Sequence, residues 1–245
     1  GDIYLTDEKE NNIKKKYIVD NAHAIINIFP EEKKQMKKIY DIKGKMYTAF
    51  YYSKKINMLL EKYRKEILNE KKYVAIQIGN SATKSNSHHF VLRKIKRYKN
   101  ENIKLIVPLS YGDEEYAKKV IKYGKKVYGE KFVPITKLMN EEQYYNLISN
   151  IDVGIFDIRR QQATGNINAL LYYGKKVFLI RNSILADFYI KRLGCVIDYI
   201  DEINYMNFEQ FIHISTNERI NNYLKMRKLH STNYRKRLWE KIFLD

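Results

Sequence analysis

Two polar stretches hold most of the chemistry this sequence offers. One is Asp157 to Thr164, where Arg159 and Arg160 are followed by Gln161 and Gln162. It separates an apolar run, Val153 to Phe156, from an apolar-periodic segment, Ile167 to Tyr173, that Gly165 and Asn166 open and Gly174 closes. Strand, polar loop and helix in that order put the loop at a strand's carboxyl end and a helix N-terminus. Free N–H groups and the positive end of the helix dipole make that place attractive to anions. Each charge-assisted hydrogen bond there is worth about 1.5–3 kcal/mol, and the helix end adds roughly 0.3–1 kcal/mol. Together these suit a diphosphate. The competing reading is a solvated loop whose arginines pair with Asp157 or Asp152.

The second stretch is Gly79 to His88, which directly follows the strand-like YVAIQI of residues 73–78. Glycine permits a tight turn and a close approach. Asn80, Ser81, Ser85, Asn86 and Ser87 offer uncharged donors, Lys84 a charge, and His88 a donor at a helix entrance. A polar strand-to-helix loop with a capping serine explains the same residues without a ligand. Pro108 and Tyr111 fall in a third strand-end loop. Tyr111 and Tyr144 are able to stack on a base, although with 22 tyrosines in the chain most serve packing.

Other chemistries find no support. GxxxxGK[ST] and GxGxxG are both absent. His88 and His89 are adjacent and cannot chelate one metal from a helix, and His23, His213 and His230 have no metal-ligand spacing, so no metal site is expected. No Ser/His/Asp spacing and no DxD motif stand out. Cys195, after Gly194 and before a short apolar run, reads as a small core residue.

The elements that position these loops alternate. Strands are expected at 24–29, 46–52, 73–78, 104–108, 132–135, 153–156, 177–180 and 195–197. Helices are expected at 11–20, 31–40, 88–98, 113–128, 141–149, 167–173, 184–193, 208–214 and 217–243, and 54–70 reads as a charged helix or linker. From residue 73 onward the alternation predicts an α/β fold with a Rossmann-like, doubly wound parallel sheet. Ligands of such sheets bind at the carboxyl ends of strands. The loops at 79–88, 109–112, 139–140 and 157–166 all fall on that edge.

The chain has 245 residues and a net charge of +18, with 44% hydrophobic and 30% charged residues. That is a soluble globular profile of one large or two small domains. No membrane-length apolar run and no signal peptide are visible. A single cysteine fits a cytosolic setting. Biased base composition, visible in the abundance of Lys, Asn, Ile and Tyr, accounts for much of the positive charge. Attraction to an anionic membrane surface is the next explanation. Nucleic acid is disfavoured, because the charges are dispersed and no recognition motif is present.

Several stretches together resemble one family. GNS-x-x-K-S-N-x-H (79–88), IVP-x-x-Y (106–111) and RQQ-x-x-G (160–165) follow the order and spacing of the bacterial 4-acetamido-4,6-dideoxygalactose transferases of enterobacterial common antigen synthesis. S-x-N-Y-x(4)-W (231–239) and the opening Gly1-Asp2-Ile3-Tyr4 are similar to that family too. The resemblance implies a GT-B glycosyltransferase. Its nucleotide-diphosphate sugar donor, dTDP-linked, would lie in residues 69–225. Residues 1–68 would be the end of an incomplete N-terminal acceptor domain with its linker, and 226–245 a helix packing back on that part. The acceptor would be a lipid-linked glycan at the cytoplasmic face of the inner membrane, to which the protein would bind peripherally.

Carried over by position, Gly79, Asn80, Ser81, Lys84, Ser85, Asn86 and His88 match the first loop. Pro108 and Tyr111 match the second, and Arg160, Gln161, Gln162 and Gly165 the third. Arg160, His88 and Lys84 are expected to stabilise the leaving diphosphate. The others, with Arg159 and Asn166, are expected to bind the donor. Neither a metal nor another cofactor is implied, and the resemblance suggests retention at the anomeric carbon. The sequence departs from the family at Ala82, Thr83, Ser110, Ala163 and Asn166, and Lys84 replaces an arginine with its bidentate fork. A non-catalytic module that binds a nucleotide sugar is the alternative from another class.

Overall fold

The computed structural model describes residues 9–51, 53–65 and 72–245, with side chains from residue 12 onward. The opening match at Gly1 to Tyr4 and the predicted helical residues 66–70 lie outside these. The chain divides into two units, residues 1–52 with 228–245 and residues 53–227.

In the first unit Lys9–Asn21 (α1) precedes Ala24–Asn27 (β1), Lys33–Ile39 (α2) and Lys45–Thr48 (β2). The strands are parallel, Ala24 opposite Lys45 and Asn27 opposite Thr48, so α2 is their crossover. Met36 and Tyr40 are buried against Val19, Ile25 and Met46. Pro30 starts a 3₁₀ turn soon after β1, because its ring fixes φ and supplies no N–H for a ladder.

The second unit begins with Lys54–Lys65 (α3) and continues Val74–Ile78 (β3), His88–Lys94 (α4), Ile103–Pro108 (β4), Glu114–Tyr128 (α5) and Phe132–Ile135 (β5). Then come Glu141–Ser149 (α6), Val153–Phe156 (β6), Thr164–Tyr172 (α7), Lys176–Leu179 (β7), Ile184–Ala186 (α8), Asp198–Tyr199 (β8), Phe208–Ile212 (α9) and Thr216–His230 (α10). Residues 228–230, at the end of α10, and Thr232–Leu244 (α11) group with the first unit. α3, which the sequence reading places in a connecting segment, packs on α6 and α7.

Six parallel strands form one sheet in the order β5-β4-β3-β6-β7-β8. On one face Ile76, Ile78, Leu105, Val107, Ile155 and Phe178 pack with Val91, Leu92 and Ile95 and with Phe211 of α9. The other face meets α7, since a Cβ on Gly154 would run into Leu170. Helices on both faces are the doubly wound arrangement. Local signals agree with it. Asp113 caps α5 by accepting from Tyr116 N at 2.9 Å, with Glu114 and Glu115 in the first turn and Lys125 and Lys126 in the last. Asn140 and Gln143 form a capping box on α6.

Three elements differ from the sequence reading. The last strand is Asp198–Tyr199, not 195–197, because the buried Asn222 of α10 takes the Val196 backbone. Its Oδ1 accepts from Val196 N at 2.7 Å and its Nδ2 donates to Val196 O at 2.8 Å. The long C-terminal helix is two, broken at Ser231, which leaves helical geometry and caps α11 by accepting from Tyr234 N at 3.3 Å. The helix over 184–193 keeps only one α turn before Asp187–Arg192 widens into a π-helix.

Candidate functional site

β4 and β5 lie on one side of β3, and β6, β7 and β8 on the other. Strand order therefore reverses between β3 and β6, and a doubly wound sheet opens a crevice at the carboxyl ends of such a pair. The loops that leave those two ends are Gly79–Ser87 and Asp157–Ala163.

The first loop begins on a left-handed residue. Gly79 has φ +64°, and a Cβ there would stand 2.7 Å from Asn86 Oδ1 and 2.8 Å from His88 Nε2. Asn80 N donates to Asn86 Oδ1 at 3.0 Å, and Asn86 Nδ2 donates to Thr83 Oγ1 at 2.8 Å, so the loop folds around the buried Asn86. Ser81, Thr83 and Ser85 form a hydroxyl chain, at 3.2 Å and then 3.0 Å. The second loop reaches into it. Gln162 Nε2 donates to Ser81 Oγ (3.0 Å) and Thr83 Oγ1 (3.1 Å), Ser85 Oγ donates to Gln162 Oε1 (2.8 Å), and Arg160 donates to Ser85 Oγ at 3.4 Å.

The loop after β4 joins from the other side. Ala82 and Gly112 form a parallel bridge, with Ala82 N donating to Tyr111 O and Asp113 N to Ala82 O, both at 2.8 Å. Asn80 Nδ2 donates to the Tyr111 hydroxyl at 2.9 Å. Pro108 is buried at the end of β4 beside Ile135.

Ser87 and Ala163, on the two facing loops, hold positive φ of 47° and 59° without being glycine. That conformation costs a side-chain-bearing residue roughly 1–2 kcal/mol. Ala163 is the N-cap position of α7, and it is one of the positions where the resemblance leads one to expect glycine. At the next turn Gly165 is exposed, and a Cβ on it would meet nothing within 4 Å. Lys84 and Arg159 are exposed, while Arg160, Gln161 and Ser85 are half-buried.

Two expected roles change. His88 is fully buried, its backbone N donates to Tyr116 Oη at 3.2 Å, and its Nδ1 lies 3.3 Å from the same hydroxyl. Burial, with His89 adding, pushes its pKa down to about 4. It is neutral at physiological pH, so any cationic duty at the loops falls to Lys84, Arg159 and Arg160. Tyr144 is tied into the packing by its hydroxyl, which donates to Asn166 Oδ1 at 2.6 Å. Asp157 contacts Ser87, and burial raises its carboxyl above the usual range against the pull of Ser87 and Arg159. Asp152 instead accepts from Ala75 N at 2.9 Å.

Sequence reasoning gives no site role to Gln77 or to Thr83, which it marks only as a departure from the family and which links the two loops. The only signal for Gln77 is that it is the polar residue in an otherwise apolar strand. Asn80 Oδ1 and His88 Nε2 are buried without a hydrogen-bond partner among the described residues. At the same sheet edge a cleft of about 700 Å³ opens past β5, lined by Ile135, Lys137, Leu138, Met139, Gln143 and Leu147 among others. Among the described residues no group of three His, Cys, Asp or Glu is placed to hold a metal ion. No described helix is long and apolar enough to cross a membrane.

Solved structures with this architecture are numerous. A glycosyltransferase from Rickettsia africae ESF-5 superposes with a TM-score of 0.70 at 11% identity, covering 98% of this chain and 68% of that one. An alpha,alpha-trehalose 6-phosphate synthase from Burkholderia multivorans gives 0.65 at 9% identity over 95% and 59%. An E. coli trehalose-6-phosphate protein bound with UDP-2-fluoro glucose gives 0.64 at 12% over 92% and 61%. The chain thus spans between 59 and 68% of the length of these three. At such identities the likeness speaks for the fold, which is the Rossmann-like GT-B fold of glycosyltransferases. The family model described as 4-alpha-L-fucosyltransferase, glycosyl transferase group 56, matches residues 33–231, most of the sequence. By that match the chain belongs to the group 56 glycosyltransferases, the 4-alpha-L-fucosyltransferase family.

Proposed function

We propose that this glycosyltransferase moves a deoxyamino sugar from a nucleotide diphosphate donor, dTDP-linked, to a lipid-linked oligosaccharide in the synthesis of a bacterial cell-surface glycan. The observation that carries the donor half is the meeting of two loops at the β3/β6 crevice, where Gln162 and Arg160 engage Ser85. Uncharged hydroxyl and amide donors, cations and the N-terminus of α7 then surround one position. Breaking the glycosidic bond concentrates negative charge on the leaving diphosphate, and preorganised donors that need not rearrange lower that barrier. In this reading Arg160 and Lys84 supply charge, and Ser81, Ser85, Gln161 and Gln162 supply hydrogen bonds. The cleft past β5 takes the nucleoside. It opens beyond β5, which is itself two strand spacings, about 10 Å, from β3.

The acceptor half rests on the resemblance alone. It assigns the unit around β1 and β2 to the lipid-linked acceptor, transfer with retention, and peripheral attachment to the cytoplasmic face of the inner membrane. Calorimetry with dTDP, UDP and GDP tests the donor half, with Arg160→Ala alongside. Micromolar binding of one of them, lost in the variant, supports it. A folded protein that binds none removes it. Turnover with a lipid-linked acceptor then separates a transferase from a binding module.

A further inference from the structure

Gln77 is 2% exposed and sits inside β3, where a central strand normally carries an apolar side chain. Its Nε2 donates to Gly79 O at 3.0 Å and to Asn166 Oδ1 at 2.8 Å. Asn166, in the first turn of α7, is 8% exposed, and the same Oδ1 accepts from the Tyr144 hydroxyl at 2.6 Å.

Carboxamides have an oxygen end and a nitrogen end, and neighbouring groups decide which points where. Here the decision passes along a chain. Gly79 O can only accept, so the nitrogen of Gln77 must face it. That same nitrogen faces Asn166, so Asn166 must present oxygen. If Asn166 were turned over, its nitrogen would meet the nitrogen of Gln77. If Gln77 were turned over as well, two carbonyl oxygens would meet at Gly79. One orientation satisfies all three residues, and it leaves both Nδ2–H donors of Asn166 on the side away from Gln77 and Tyr144.

We propose that Gln77 is a positioning residue of the donor site: anchored on the Gly79 carbonyl, it fixes the Asn166 carboxamide so that its two N–H donors are held ready for an anion at the start of α7. This rests on the donor-site reading. It gives the buried glutamine a task that an apolar strand residue could not perform, and it joins the end of β3 to the N-terminus of α7 across the switch point.

The test is a double-mutant cycle on binding of the nucleoside diphosphate that the wild type binds best, read by calorimetry. Gln77→Leu is expected to weaken binding about tenfold, the scale of one hydrogen bond to a charged group. In an Asn166→Leu background, which has no carboxamide to orient, the same change is expected to weaken it less than about twofold. A merely structural glutamine predicts equal losses in both backgrounds, and that result overturns the proposal. Should the leucine variant not fold, Gln77→Met, uncharged, of similar length and without a carboxamide, takes its place in the cycle, with the same loss and the same dependence on Asn166 expected. A wild type that binds none of dTDP, UDP and GDP instead removes the donor-site reading, and this inference with it.

Discussion

Gln162 and Ser85 bind each other across the crevice: the Ser85 hydroxyl donates to Gln162 Oε1 at 2.8 Å, while Gln162 Nε2 turns back to Ser81 and Thr83. Gln162 thus contributes three of the links between the loop after β6 and the loop after β3, beside the contacts of Arg160 with Ser85 and of Asp157 with Ser87. Removing it loosens the junction of the two loops without disturbing the sheet beneath.

Gln162→Leu is accordingly expected to lower nucleoside diphosphate affinity by about tenfold while costing no more than about 1.5 kcal/mol of stability. Calorimetry and denaturant unfolding on the same sample check both numbers. A loss of stability with intact binding would place the contact in the scaffold alone.

Gly79 is a second sensitive point. Alanine there must adopt φ +64°, and its Cβ must displace Asn86 or His88. The expected destabilisation is on the order of 2–4 kcal/mol, measured by urea unfolding. Gly165→Ala, with open space around its Cβ, is the control and is expected to leave folding intact.

Acid should loosen the fold through His88. Its ordinary pKa of 6.5 falls to about 4 when folded, chiefly from burial. Between those values the unfolded chain holds the extra proton. Stability is therefore complete above about pH 6.5 and declines as pH falls toward 4, by about 3 kcal/mol at most. His230, lowered to about 3 by burial and then by Arg235, acts in the same direction in the other unit. Unfolding midpoints across this range, with His88→Gln expected to flatten the slope, provide the check.

The net charge of +18 bears on membrane attachment. Co-sedimentation with phosphatidylglycerol vesicles is expected, with little binding to phosphatidylcholine, and release as salt rises, because exposed charges are screened. Equal binding to both lipids, or none to either, would leave the charge as a matter of composition.

Much of this was legible in the chain itself. YVAIQI, KLIVP and the run at 153–156 are short apolar stretches bounded by polar loops, and the sheet uses them as strands close to their expected limits. The loops that meet at the crevice follow from strand alternation alone. What stayed hidden depends on partners distant in sequence. Asn222 replaces a neighbouring strand for Val196 from 26 residues away, so the ladder starts later than the apolar residues suggest. Ser231 ends a helix by capping the next one, and lysine-rich flanks gave no sign of the break. Gln77 looks like an imperfection in a strand until α6 and α7 bring Tyr144 and Asn166 to it. His88 reads as an exposed helix-entrance donor, and only packing against Tyr116 shows it enclosed.

The enclosure of His88 also fixes how the site handles protons. The imidazole is already neutral near pH 7, and the groups joining the two loops are hydroxyls, carboxamides and a guanidinium. An ionised diphosphate can then dock without a change in the protonation of those groups. For a donor whose phosphates carry no titrating proton, the heat of docking is expected to be the same in buffers of different ionisation heat. Asp157, whose carboxyl burial raises, is left as the group to which any accompanying proton would be traced.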